Sequence, residues 1–254
     1  MPLKLGVVPY LNALPLYFSL RERHDVEIVA DFPARLGTRL QNGEFDAALL
    51  PVADHLRGIG DGILGDAIVG ATREVRSVLL FSKSEIENIK TVALDTSSHS
   101  SVALTRVLFR DLVKTNPHFI DATPDLETML ENADAALLIG DPALLAAQNC
   151  DFKIYDLATL WHDLTSLSFV FAAWTARTDL QNRAEIAGLL NNARDDGRTR
   201  INEIVAANLI KTSLPKTLIT DYLRETIEYQ MSASHRAGLE EFARRLHNNS
   251  MLSL

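Results

Sequence analysis

The chain has 254 residues, 47% of them hydrophobic and 23% charged, with a formal net charge of −8. This is the make-up of a globular protein with a sizeable core, built as one large domain or two small ones. The acidic balance argues against a nucleic-acid partner and no apolar run reaches the length of a membrane span, whereas a small anion remains a fitting ligand because backbone N–H dipoles can make a buried site locally positive.

Strand-like and helical runs then alternate. Leu5 to Val8 is an apolar strand running into Pro9-Tyr10-Leu11-Asn12-Ala13-Leu14-Pro15-Leu16, and Leu14 to Glu22 reads as a helix. Val26 to Ala30 is a strand and Pro33 to Asn42 a helix; Asp46 to Leu50 is a short strand with a helix following from Val52. Such β–α alternation signals a parallel sheet flanked by helices. Ile63 to Gly70 and Ser77 to Phe81 read as further strands, the second leading into the polar stretch Ser84 to Asn88. A second α/β unit opens with Val92 to Asp95 and continues with a helix from Ser100 to Lys114, a buried strand from Ala135 to Ile139 and a helix from Pro142 to Gln148. Phe169 to Ala173 is an apolar strand that returns the chain to the first unit, and Trp161 with Phe169-Val170-Phe171 reads as core. Beyond Arg177 the pattern is helical only, over 179–192, 199–209, 216–229 and 235–247. The expected division is one lobe of residues 1–83 with 174–254, carrying the last helices, and a second lobe of 84–173, with the chain crossing twice.

Polar clusters fall where strands give way to helices. Asn12 stands where a helix N-cap would, and its amide can equally hold a hydroxyl or carboxylate. Ser77 reads as a strand serine, with Arg76 on the opposite face by alternation. Thr96-Ser97-Ser98-His99-Ser100-Ser101 opens a helix, either as plain capping or as a cradle of hydroxyls and N–H groups for a carboxylate. Gly140-Asp141 before Pro142 fits an N-cap Asp with Pro at the first helical position.

Other chemistries lack their signatures. Gly60-Asp61-Gly62-Ile63-Leu64-Gly65 has the dinucleotide-binding spacing but precedes a strand and opens no helix, so it reads as a turn. There is no phosphate-binding loop, no His-Glu-x-x-His helix and no nucleophile elbow, and the seven histidines lack ligand spacing. Cys150 is the one cysteine and reads as a bystander, so neither a disulfide nor a metal or organic cofactor is implied. The first residues lack the basic, apolar and small-residue regions of a signal peptide, so a cytoplasmic protein is expected.

Read in order, Tyr10-Leu11-Asn12 with Pro15, Arg76-Ser77-Val78-Leu79, Asp95-Thr96-Ser97-Ser98-His99-Ser100-Ser101, Ile139-Gly140-Asp141-Pro142 and Ser168-Phe169-Val170-Phe171 resemble the chorismate dehydratases of the futalosine route to menaquinone, from Leu5 to about Phe242. The resemblance implies an α/β, bilobal, periplasmic-binding-protein-like fold of type II with a C-terminal helical segment. In such folds the ligand sits in the cleft between lobes, and closure by hinge motion is expected. It further implies Asn12 and Ser77 as catalytic residues and Tyr10, Thr96, Ser97, Ser98, His99, Ser100, Ser101, Gly140 and Asp141 as substrate-binding ones; Asp141 is not taken as a base. The sequence departs from the family in two places. His99 stands where many relatives have Arg, which is expected to weaken anion binding or make it pH-sensitive. Thr165-Ser166-Leu167-Ser168 replaces a frequent Thr-Gly-Leu-Pro, which bears on the shape of that crossing.

The implied activity is that of a lyase converting chorismate to 3-(1-carboxyvinyloxy)benzoate. Loss of the ring hydroxyl and the adjacent ring proton makes the ring aromatic, so the enzyme chiefly orients the substrate and stabilises developing charge. The motif residues supply amides, hydroxyls and N–H groups but no obvious strong base, which points to substrate-assisted catalysis: the enolpyruvyl carboxylate takes the ring proton while Asn12 and Ser77 hold the substrate. The expected partner is chorismate or a similar small dicarboxylate, with no membrane or nucleic acid, and a homodimer is compatible with this reading. Three alternatives are weighed: the later dihydroxynaphthoate synthase of the same route, a non-catalytic small-anion binding protein, and an effector-binding regulatory domain.

Overall fold

The computed structural model describes residues 2–247. Two compact units divide the chain: Met1–Gly70 with Val170–Ser232, and Ala71–Phe169 with Ala233–Leu254. The described strands are β1 (Leu3–Val7), β2 (Val26–Ala30), β3 (Ala47–Pro51), β4 (Ile63–Ala71), β5 (Val78–Ser82), β6 (Thr91–Asp95), β7 (His118–Ala122), β8 (Ala135–Ile139), β9 (Lys153–Asp156), β10 (Phe169–Ala176) and β11 (Glu228–Gln230).

The first unit holds a six-stranded sheet in the order β11-β4-β10-β3-β1-β2. β1 runs parallel to both β2 and β3, and β10 enters antiparallel to β3. β3 is buried at every position, as its unbroken apolar run requires of a strand covered on both faces. The stretch read as a helix from Leu14 to Glu22 is instead two 3-10 turns, Leu11–Leu16 and Ser19–Glu22. Pro15 inside the first turn has no N–H to give, so a continuous α-helical ladder cannot run through it. The long helix after Arg177 begins at Arg183 rather than Asp179, because Asp179 and Asn182 both take left-handed backbone angles. The tail is not helical only: Glu228–Gln230 pairs antiparallel with β4, and three residues are too few to show alternation in the sequence.

The second unit holds a five-stranded sheet in the order β7-β6-β8-β5-β9. β6 is parallel to β7 and β8, while β5 is antiparallel to β8 and β9. The expected helix from Ser100 is found as His99–Leu108, widening into a π turn over Phe109–Val113 that stops at Lys114, where φ is 64°. The last helix, Ala233–His247, belongs to this unit and not to the first as expected, and the chain therefore passes between units a third time, after Ser232. Side-chain packing decides this. Phe242 is fully buried and meets Phe169 edge-on, with centroids 4.9 Å apart, and Trp161 at 5.9 Å; Trp161 and Phe169 are themselves 5.3 Å apart. Gly238 passes so close to the Ser168 carbonyl that no side chain would fit.

At the crossing before β10, Ser166 takes φ 58° and so carries the left-handed strain that a glycine would avoid. Ser168 is fully buried and uses an N–H and a hydroxyl that a proline would lack. Its N–H donates to Ser234 Oγ at 3.0 Å, and its hydroxyl bonds Ser234 Oγ at 3.0 Å and Thr72 Oγ1 at 2.9 Å.

The last helix is also clamped by charge. Arg110 and then Arg245, whose Nη1 lies 2.6 Å from Asp111 Oδ2, hold the Asp111 carboxyl down at about 2. A depressed folded-state carboxyl contributes stability that is full above its unfolded value of about 3.9 and is lost as pH falls through the folded value. Asp111→Asn should therefore lower Tm near neutrality, and the difference from the parent should shrink between about pH 5 and about pH 2. Thermal melts across that range check it, and a deficit independent of pH would refute it.

Candidate functional site

In the first unit the strand order reverses beside β1, which has β2 on one side and β3 on the other. Loops that leave the carboxyl ends of parallel strands at such a point are where ligands of open α/β sheets bind. The segment leaving β1 is Val8 to Asn12. Tyr17, 1% exposed, anchors it by donating its phenol to the Val8 carbonyl at 3.1 Å. Tyr10 precedes the 3-10 turn with extended backbone angles and is half-buried. Asn12 is the second residue inside that turn, so it is not the N-cap that its position in the sequence allowed. Its half-buried carboxamide makes no hydrogen bond to another described residue. It offers both a donor and an acceptor to whatever lies against it.

In the second unit the order reverses between β6 and β8, and the sequence-predicted residues gather at that end of the sheet. The Thr96 to Ser101 turn leaves β6, Gly140 leaves β8, and Ser77 leads into the antiparallel β5. Ser77 is fully buried just before the strand, and its carbonyl accepts the Gly140 N–H at 2.7 Å. Gly140 needs to be glycine, with φ 65° where the chain turns off β8 into the helix Gly140–Ala146. Asp141 is half-buried in that helix's first turn and is not its N-cap, a place taken by Ile139. Arg76 lies before the strand and not in it, with a left-handed backbone (φ 56°) and an exposed ion pair with Glu74, so the expected strand alternation does not apply to it.

The serine turn divides its labour. Ser98 caps the helix His99–Leu108, accepting the Ser101 N–H at 3.3 Å and donating its hydroxyl to Ser101 Oγ at 2.9 Å. Thr96 is exposed and leans on β7, donating to the Ala122 carbonyl at 3.4 Å. Ser97 and His99 are half-buried and Ser100 is buried at the positive end of the helix dipole. Capping thus accounts for Ser98 and Ser101.

Two aspartates at this end of the sheet are not among the residues the sequence assigned to the site. Asp95, 1% exposed, accepts the Ser97 N–H at 2.8 Å on Oδ1, and burial raises its carboxyl above the usual range. Asp156 is likewise pushed up by burial, against the pull of four backbone N–H groups. The signal available for Asp156 was its place two residues before Ala158 and three before Thr159, the spacing of a helix N-cap. Among the described residues no three His, Cys, Asp or Glu side chains gather as a metal ion would need, and no helix is long and apolar enough to cross a membrane.

The sequence model of the menaquinone biosynthesis family matches residues 3–248. The chain belongs to that family. It is 30% identical to a chorismate dehydratase of Thermus thermophilus, over 96% of this chain and 95% of that one. Among solved structures, a protein from Archaeoglobus fulgidus superposes with a TM-score of 0.79 at 17% identity, covering 98% of both chains. The periplasmic aliphatic sulphonate binding protein of Escherichia coli superposes with a TM-score of 0.64 at 21% identity, covering 99% of this chain and 93% of that one. At those identities the likeness is one of fold, and the fold is the expected type II periplasmic-binding-protein fold.

This family member seats the Asn12 turn against the helix Arg183–Thr199 without a gap. A Cβ on Gly197 would lie 2.8 Å from Pro15 Cα and closer still to the Pro15 carbonyl oxygen, while one on Gly188 of the same helix would meet nothing within 4 Å. Gly197→Ala should therefore cost about 1–3 kcal/mol by overpacking, and Gly188→Ala should be neutral or stabilising. Urea unfolding of the two variants checks this, and equal effects would refute it.

Proposed function

We propose that this protein is a chorismate dehydratase, a lyase that removes water from chorismate to leave an aromatic ether, 3-(1-carboxyvinyloxy)benzoate. The end-to-end likeness to the Thermus thermophilus enzyme of that name carries the reading. The placement of Asn12 in the first unit, and of Ser77, the serine turn and Gly140 in the second, each beside the point where strand order reverses, supports it. On this reading it is a cytoplasmic enzyme for a small dianion and needs no nucleic acid.

The chemistry asks little of the protein beyond orientation. The ring proton leaves, the neighbouring hydroxyl departs as water, and the electron pair completes the aromatic ring. Asn12 and Ser77 hold the substrate, the serine turn with His99 takes a carboxylate, and the enolpyruvyl carboxylate of the substrate accepts the ring proton and passes it to the departing hydroxyl, which leaves as water. The two buried aspartates suit this division. Asp156 spends both oxygens on backbone amides and Asp95 is sealed from solvent, so neither offers itself as an exposed base.

Purified protein incubated with chorismate should consume the diene absorbance and yield a product lighter by one water. Asn12→Ala and Ser77→Ala should each lower kcat by about hundredfold or more while far-UV circular dichroism stays unchanged. Tight binding of chorismate with no turnover would instead make the chain a non-catalytic binding protein. Neither binding nor turnover would move the assignment to the later enzyme of the route.

A further inference from the structure

Asp156 does more than a helix cap requires. It closes β9 and opens the helix Leu157–Thr165, and Oδ1 accepts the N–H groups of Ala158 at 2.9 Å and Thr159 at 3.3 Å. One oxygen completes that cap. The other reaches some 80 residues back along the chain, where Oδ2 accepts the N–H groups of Val75 at 2.9 Å and Arg76 at 2.7 Å. Those two residues lead directly into Ser77. A second tie joins the same helix to the same segment, since Thr159 Oγ1 donates to the Arg73 carbonyl at 2.9 Å.

The segment needs holding. Arg76 sits in the left-handed region, which a residue with a Cβ adopts only when its surroundings enforce it. The Arg76 guanidinium is paired with Glu74, so the backbone bonds alone engage the Asp156 carboxylate. On the far side of Ser77 its carbonyl is taken by Gly140. Ser77 is thus held by Asp156 before it and by Gly140 after it.

We propose that Asp156 is the positioning residue for Ser77, a single carboxylate that locks residues 75–76 to the N-terminus of the helix behind them and so sets where Ser77 stands. The proposal rests on the reading that Ser77 acts on the substrate. Because Asp156 donates nothing to the substrate itself, its effect on turnover must pass through Ser77.

The test is a double-mutant cycle of Asp156→Ser and Ser77→Ala with chorismate as substrate. Serine keeps one oxygen to cap the helix but is too short, and has one oxygen too few, to hold residues 75–76 as well. Asp156→Ser is expected to lower kcat by about tenfold to hundredfold in the parent and to change it little further in Ser77→Ala. The Val75 and Arg76 amides should exchange faster with solvent in Asp156→Ser, a readout independent of turnover. If the two substitutions multiply, or if those amides exchange as before, the positioning role is overturned. If Ser77→Ala abolishes turnover and Asp156→Ser leaves it whole, only the positioning role falls; if Ser77→Ala itself turns over normally, the reading of Ser77 falls and the role with it. Should Asp156→Ser fail to fold, Asp156→Asn enters the same cycle, since its single carbonyl oxygen can serve only one of the two pairs of amides.

Discussion

Where a buried strand ends, its last backbone N–H and C=O groups must find partners within the protein, and this constraint organises both units. In the first, the carbonyl of Val8 beyond β1 is met by the phenol of Tyr17, and that of Val7 by the Asp31 N–H at 2.9 Å. In the second, the Ser77 carbonyl is met by Gly140, and the amides after β6 and β9 are met by Asp95 and Asp156. Each solution turns the chain at the carboxyl end of a strand. The same bonds that remove unpaired groups from the interior therefore hold the polar side chains of the candidate site in place.

The electrostatics follow a related economy. Several arginines form ion-pair networks within the framework: Arg194 is buried against Asp66 and Asp195, Arg200 joins Glu22 and Glu203, and Arg245 joins Asp111 and Glu241. The residues proposed to hold a dianionic substrate are mostly neutral amides and hydroxyls, at the positive end of the helix from His99. A chain of net charge −8 can bind an anion this way because the donors are local and oriented, while the net charge is spread over the whole molecule.

How much of this was legible depended on the range of the interactions involved. β1, β3 and β8 are short apolar runs bounded by polar residues, and they stand where the sequence put them within a residue or two. The motifs at Asn12, Ser77, the serine turn and Gly140 were legible as polar clusters next to such runs. β7 and β9 were not, being partly exposed and of mixed polarity, nor was β11, which exists because β4 offers it a partner. Tyr17, Asp156 and Gly197 carry local signals of a core aromatic, a helix cap and a helix-weakening glycine; their bearing on the site comes from Val8, residues 75–76 and Pro15.

The sequence by itself determined the β–α alternation, the family and the short list of polar turns, because these are written in patterns a few residues long. Tertiary structure alone decided that the last helix joins the second unit, that Ser98 and Ser101 satisfy each other as a cap, and that one carboxylate serves both the helix after β9 and the segment before Ser77. Those outcomes depend on which surfaces Phe242 can bury and which amides Asp156 can reach. Such partners lie tens of residues apart in the chain and meet only once the sheet has ordered its strands.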